Sequence, residues 1–155
     1  MINGFADFLS NVPLWTAFVA FITAQLIKLC LYYLSGKKRA ISLFGSGGMP
    51  SSHSASVTAL SFSVGFNHGF GSVAFSVAAI FAAIVMYDAA NVRQATGKNA
   101  EAINFIVDLL KKSFSDKVID YKLLKTTLGH NRLEVCGGFL WGMLIAMGQF
   151  FLLRR

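Results

Sequence analysis

Charge is scarce in this chain, and acidic charge is scarcest. Only 14% of its 155 residues are charged, with 7 Asp and Glu against 14 Lys and Arg, where a soluble domain carries about 25%. With 55% hydrophobic residues, that shortage argues against a disordered chain, a nucleic-acid-binding arm or a simple cytosolic enzyme. Cysteine is sparse too. Cys30 and Cys136 have no metal-type spacing, which argues against a zinc site or a disulfide framework, and both read as buried free thiols inside apolar runs. There is no polar–apolar alternation to build a β-barrel, no internal repeat and no low-complexity tail. The length predicts one domain over residues 1–155. What remains is a greasy, basic chain of net charge +7. It reads as a membrane protein with anionic partners, lipid headgroups or phosphate-bearing substrates, and not nucleic acid.

Residues 14–34 are an apolar run that would rise about 31 Å as a helix, against a bilayer core of roughly 30 Å. No Lys or Arg precedes it, so it lacks the basic region of a cleaved leader. Residues 40–52 are rich in Gly and Ser and read as a loop. A second apolar segment, about 54–66, is short and Ser-rich, and 67–71 reads as a turn. Residues 72–87 form a third, whose Ala and Ser allow helices to approach closely. Ile103, Ile106, Val107 and Leu110 recur at helical spacing and predict a short amphipathic helix near 98–112. Another is expected over 120–128, ended by Gly129. Residues 135–153 make a fourth span. The expected fold is all-α: a membrane-embedded helical bundle of about four apolar and two short amphipathic helices. Self-association into a homo-oligomer through small-residue faces is a further expectation.

The charges suggest an orientation in the cell membrane. Lys37, Lys38 and Arg39 follow the first span, and eight Lys and Arg from Arg93 to Arg132 lie between the third and fourth. If the short second segment crosses, all fall on one side, which the positive-inside rule makes cytoplasmic. Arg154 and Arg155 would then lie opposite.

Four features converge on that basic side. Gly47, Gly48, Met49, Pro50, Ser51, Ser52 and His53 precede an apolar helix. Pro suits a first helical position, Ser caps, and the free amides of a helix start favour an anion. His53 could give or take a proton there; a plain capped helix entering the membrane fits the spacing equally. His130 and Glu134 open the last span. With Asn131 as cap, Glu134 falls at the third helical position of a capping box. It can also accept the His130 ring N–H and fix the tautomer, and its two oxygens allow both roles. Lys28 sits inside an apolar span, where it either marks a pocket or snorkels to the interface. Asp88 and Arg93 follow the third segment, as a helix-end salt bridge or as a phosphate clamp with Asp88 in support. His68, in the turn at the other end, reads as a loop residue without chemistry.

The blocks GGMPSSHSA, YDAANVR, GKNAEAIN and LGHNRLEV together resemble the divergent branch of the type 2 phosphatidic acid phosphatase family, over roughly residues 20–145. That family is related to bacterial acid phosphatases and vanadium haloperoxidases. The resemblance implies a helical bundle with a phosphatase site that needs no metal or other cofactor. By the match, His130 is the nucleophile, Glu134 takes the place of the family's Asp, and His53 protonates the leaving oxygen. Ser51 and the loop amides around Ser52 bind phosphate. Lys28 matches the first motif's Lys, but its Arg partner is replaced by Ser35, with Arg39 the nearest substitute. The Arg expected six residues before the nucleophile is Leu124, which leaves Arg93 as the substitute. The expected activity is hydrolysis of a phospholipid or isoprenyl phosphate or diphosphate through a phosphohistidine. A non-catalytic module that binds phosphorylated lipid is the alternative, and vanadate-dependent oxidation ranks last.

Overall fold

The computed structural model describes residues 4–34, 48–113, 123–124, 126 and 130–153. All described regular structure is helical. Helix α1 is Gly4–Leu9, α2 Val12–Leu34, α3 Ser52–His68, α4 Val73–Tyr87, α5 Arg93–Ser113 and α6 Arg132–Leu153, with a π turn at Asp88–Val92 joining α4 to α5. Local chemistry sets the ends. Asn11 Oδ1 accepts the Leu14 amide at the start of α2, and Ser72 Oγ accepts the Phe75 amide at the start of α4. Gly69 ends α3 at φ 87°, a conformation that glycine adopts without strain.

Three helices are long and apolar enough to cross a membrane: Val12–Leu34, the continuous helix Val73–Ser113 and Arg132–Leu153. The expected bundle is therefore corrected in several respects. The second apolar segment is helix α3, but it is Ser-rich and only about 25 Å long by its rise. It is the hub on which α2, α4 and α6 all pack. The amphipathic helix near 98–112 is not a separate short element, because the π turn carries α4 straight into α5. Its Ile103, Ile106 and Leu110 are exposed. Of the helix expected over 120–128, Leu123, Leu124 and Thr126 are non-helical and the rest lies outside the described residues. Helix α1 was not anticipated.

The core is made of small residues. Ala20, Ala24, Ala55 and Ala59 form it, with Trp141 and Ile145 packed against them. The largest fully buried side chains are Thr and Ser, while Phe18, Ile22, Leu26, Ile80, Phe81, Ile84, Leu140 and Leu144 face outward. Such an arrangement would fail in water and suits lipid, where tails solvate large apolar groups and helices associate through close backbone approach and side-chain hydrogen bonds. Trp141 Nε1 donates to Thr23 Oγ1 at 2.9 Å, and the Thr16 and Ser63 hydroxyls pair at 3.2 Å. The two cysteines follow the same logic. Both are free but exposed, because an apolar run in lipid need not be buried in protein. Small-residue contact concentrates on α2, α3 and α6. In α4, where the sequence suggested it, Ala82 is the one buried residue.

Gly138 and Gly142 of α6 bring that helix onto α3. A Cβ at Gly138 would run into the Ser51 carbonyl oxygen, and one at Gly142 into that of Ala55. Gly142→Ala is expected to cost about 1–3 kcal/mol, since backbone cannot step aside as a side chain can. Thermal unfolding in detergent checks this. Gly148→Ala, whose Cβ would meet nothing within 4 Å, should leave the midpoint close to wild type.

Candidate active site

The predicted residues meet where α3 and α6 begin, beside the π turn and the C-terminal part of α2. Ser51 is the N-cap of α3, and Pro50 lies just before it and not at the first helical position. The Ser51 hydroxyl is fully buried and accepts from the Ser54 amide and hydroxyl. Ser52 is buried as well. Neither serine side chain therefore faces open solvent. The amides of Ser52 and His53 carry no protein partner among the described residues, and they supply the anion-attracting donors of a helix start.

Glu134 holds the second half together. Its Oε2 lies 2.9 Å from His130 Nδ1 and accepts the Asn131 amide at 3.2 Å. Its Oε1 accepts the Gly48 amide at 3.2 Å, and its carbonyl oxygen accepts the Ser51 amide at 2.9 Å. The capping arrangement and the His contact thus coexist in one carboxylate. An ionised carboxylate only accepts, so Nδ1 of His130 carries the proton and Nε2 keeps its lone pair. The imidazole is 3% exposed, and its backbone amide is tied to the Ala89 carbonyl at 3.0 Å.

His53 faces this ring. The two centroids stand 6.4 Å apart, and Phe21 of α2 meets His53 edge-on at 6.2 Å. Arg93 Nε pairs with Asp88 Oδ2 at 2.7 Å, which leaves the two terminal nitrogens of the guanidinium for an anion. The Lys28 side chain lies against Gly48, where a Cβ would stand 3.1 Å from its Cδ. Lys28 therefore turns toward the site rather than away from it. His53 lies outside the three apolar spans. Its pKa is pulled below the usual imidazole value, first by burial and then by Arg93, His130 and Lys28. Lys28 and Arg93, two cations within electrostatic reach of one imidazole, give the site a local concentration of positive potential.

Arg39 lies outside the described residues. His68 ends α3 at the opposite pole of the bundle, on a cavity it shares with Asp7, Ser10 and Asn11. Among the described residues, no group of three or more His, Cys, Asp and Glu could hold a metal. Sequence reading missed the Ala89 carbonyl and Phe21. The first is a backbone acceptor without a side-chain signature, and the second is one Phe among 15.

The chain is 42% identical over 151 residues to the uncharacterized membrane protein YuiD of Bacillus subtilis strain 168, covering 91% of this chain and 95% of that protein. No solved structure matches significantly. Residues 9–145, which include every described site residue, match the Divergent PAP2 family. With its three apolar spans, the chain is a membrane protein that belongs to the Divergent PAP2 family.

Proposed function

We propose that this protein is an integral membrane phosphatase that hydrolyses a lipid phosphate or diphosphate through a phosphohistidine. The observation that carries the reading is the facing pair of imidazoles, 6.4 Å between centroids, with the more buried one anchored through Nδ1 to a carboxylate. His130 Nε2 attacks phosphorus and the phosphorus–oxygen bond to the lipid breaks, while His53 hands its proton to the departing oxygen. Water then attacks the phosphohistidine. His53 takes its proton, the nitrogen–phosphorus bond breaks and inorganic phosphate leaves. Glu134 stabilises the positive charge on His130. Lys28, Arg93 and the amides of Ser52 and His53 neutralise the equatorial oxygens, the main source of stabilisation in such transfers. A bound dianion also restores the proton affinity that these cations take from His53. The exposed apolar flanks of the bundle suit a substrate whose chains stay in lipid.

Rapid-quench trapping tests the reading. Purified protein in detergent, mixed with radiolabelled phosphatidic acid or isoprenyl diphosphate, is expected to yield an acid-labile, base-stable phosphoprotein mapping to His130. Binding of the same lipids with no phosphoenzyme and no phosphate release would leave a binding module instead.

A further inference from the structure

The π turn at Asp88–Val92 stands beside the two imidazoles, and its hydrogen bonding differs from that of the helices it joins. In an α-helix the Arg93 amide would bond the Ala89 carbonyl. Here it bonds Asp88, five residues back. The Ala89 carbonyl is not claimed by Arg93 and instead accepts the His130 backbone amide at 3.0 Å. Ala89 is buried there, at 4% exposure. The same widened turn lets two side chains five positions apart share a face, and Asp88 and Arg93 pair across it at 2.7 Å. In a regular α-helix a spacing of five points side chains apart, because neighbours lie three and four positions away.

We propose that this π turn is the positioning element of the active site. Its wide register hands one carbonyl to the nucleophile's backbone and aims the Arg93 guanidinium at the same phosphate, with Asp88 as the positioning residue. The inference rests on the phosphatase reading and deepens it. Two parts of the site that lie 37 positions apart in the chain, Arg93 and His130, are set by one five-residue turn. Removing one residue from the turn restores α register. Asp88 and Arg93 then stand four positions apart and can still pair, but the Ala89 carbonyl is claimed by the Gln94 amide as in a regular helix, so the His130 amide loses its acceptor.

A double-mutant cycle on Asp88→Asn and Arg93→Gln tests this, read by orthovanadate affinity and by KM and kcat on a lipid phosphate. Asp88→Asn should weaken vanadate about tenfold and raise KM in parallel, with kcat within about threefold. In the Arg93→Gln background it should change vanadate affinity less than twofold, because Asp88 acts through Arg93. Additive losses, or equal losses in both backgrounds, would overturn the proposal. Deleting Ala90 should lower kcat at least a hundredfold in protein that keeps its helical circular dichroism, and activity within threefold of wild type would also overturn it. If that deletion does not fold, the cycle decides. A wild type that neither binds vanadate nor releases phosphate removes the phosphatase reading and this inference together. An active wild type with an additive cycle removes only the inference.

Discussion

His130→Ala is expected to lower kcat on a lipid phosphate by at least about 10⁴-fold, the largest effect of any single substitution in this protein. The magnitude follows from what the residue supplies. A nucleophile has no substitute once removed, and the residual rate then comes only from the surrounding cations and from binding. His130 is also the best prepared side chain of the site: buried at 3% exposure and bonded through Nδ1 to Glu134. Truncation removes the ring but leaves its backbone amide on Ala89, so the fold should persist. Steady-state phosphate release and lipid binding, measured on the same preparation, separate the outcomes. Loss of turnover with retained lipid affinity supports a nucleophile. Turnover within tenfold of wild type would dismiss it.

Glu134→Gln carries the second largest effect, a drop in kcat of roughly 10³-fold, by analogy with the loss seen when a carboxylate that orients a catalytic imidazole is made neutral. The amide keeps the shape but loses the charge and turns one acceptor into a donor. Glu134 accepts from His130, Asn131 and Gly48 at once, so glutamine cannot satisfy all three. Whichever way it turns, the imidazole loses its charged partner or the Gly48 loop loses its anchor. Phosphoenzyme formation should slow by the same factor as turnover, and Glu134→Asp should recover part of the rate because it keeps the charge on a shorter reach. Unchanged turnover in Glu134→Gln would reduce the residue to a helix cap.

The two substitutions bear on parts of the molecule that were legible to different degrees. Long apolar runs and the His–Glu spacing of the last span follow from local rules. A helix that must cross lipid needs about twenty apolar residues, and a cap needs its side chain within three positions of the amide it accepts. Those rules operate within a few residues and can be read along the chain. The burial of the cysteines could not be read that way. Apolar residues in a bilayer divide between lipid and protein, and hydropathy does not distinguish the two. The place of α3 was equally hidden: its Ser and Thr content lowers its hydropathy, although those hydroxyls are what let it sit at the centre.

Chain order and composition alone were enough to establish membrane residence and helical class, and to single out two imidazoles and a carboxylate as candidate site residues, because each depends on short-range pattern. Packing in three dimensions settled the rest. It brought the His53 and His130 rings to 6.4 Å between centroids, turned Lys28 toward Gly48, and made Val73–Ser113 one helix through a π turn. The meeting of the two imidazoles has a packing cause. Glycine and alanine surfaces with no signal of their own determine how closely α6 settles on α3. That approach, in turn, sets which backbone carbonyls and side chains meet at the site.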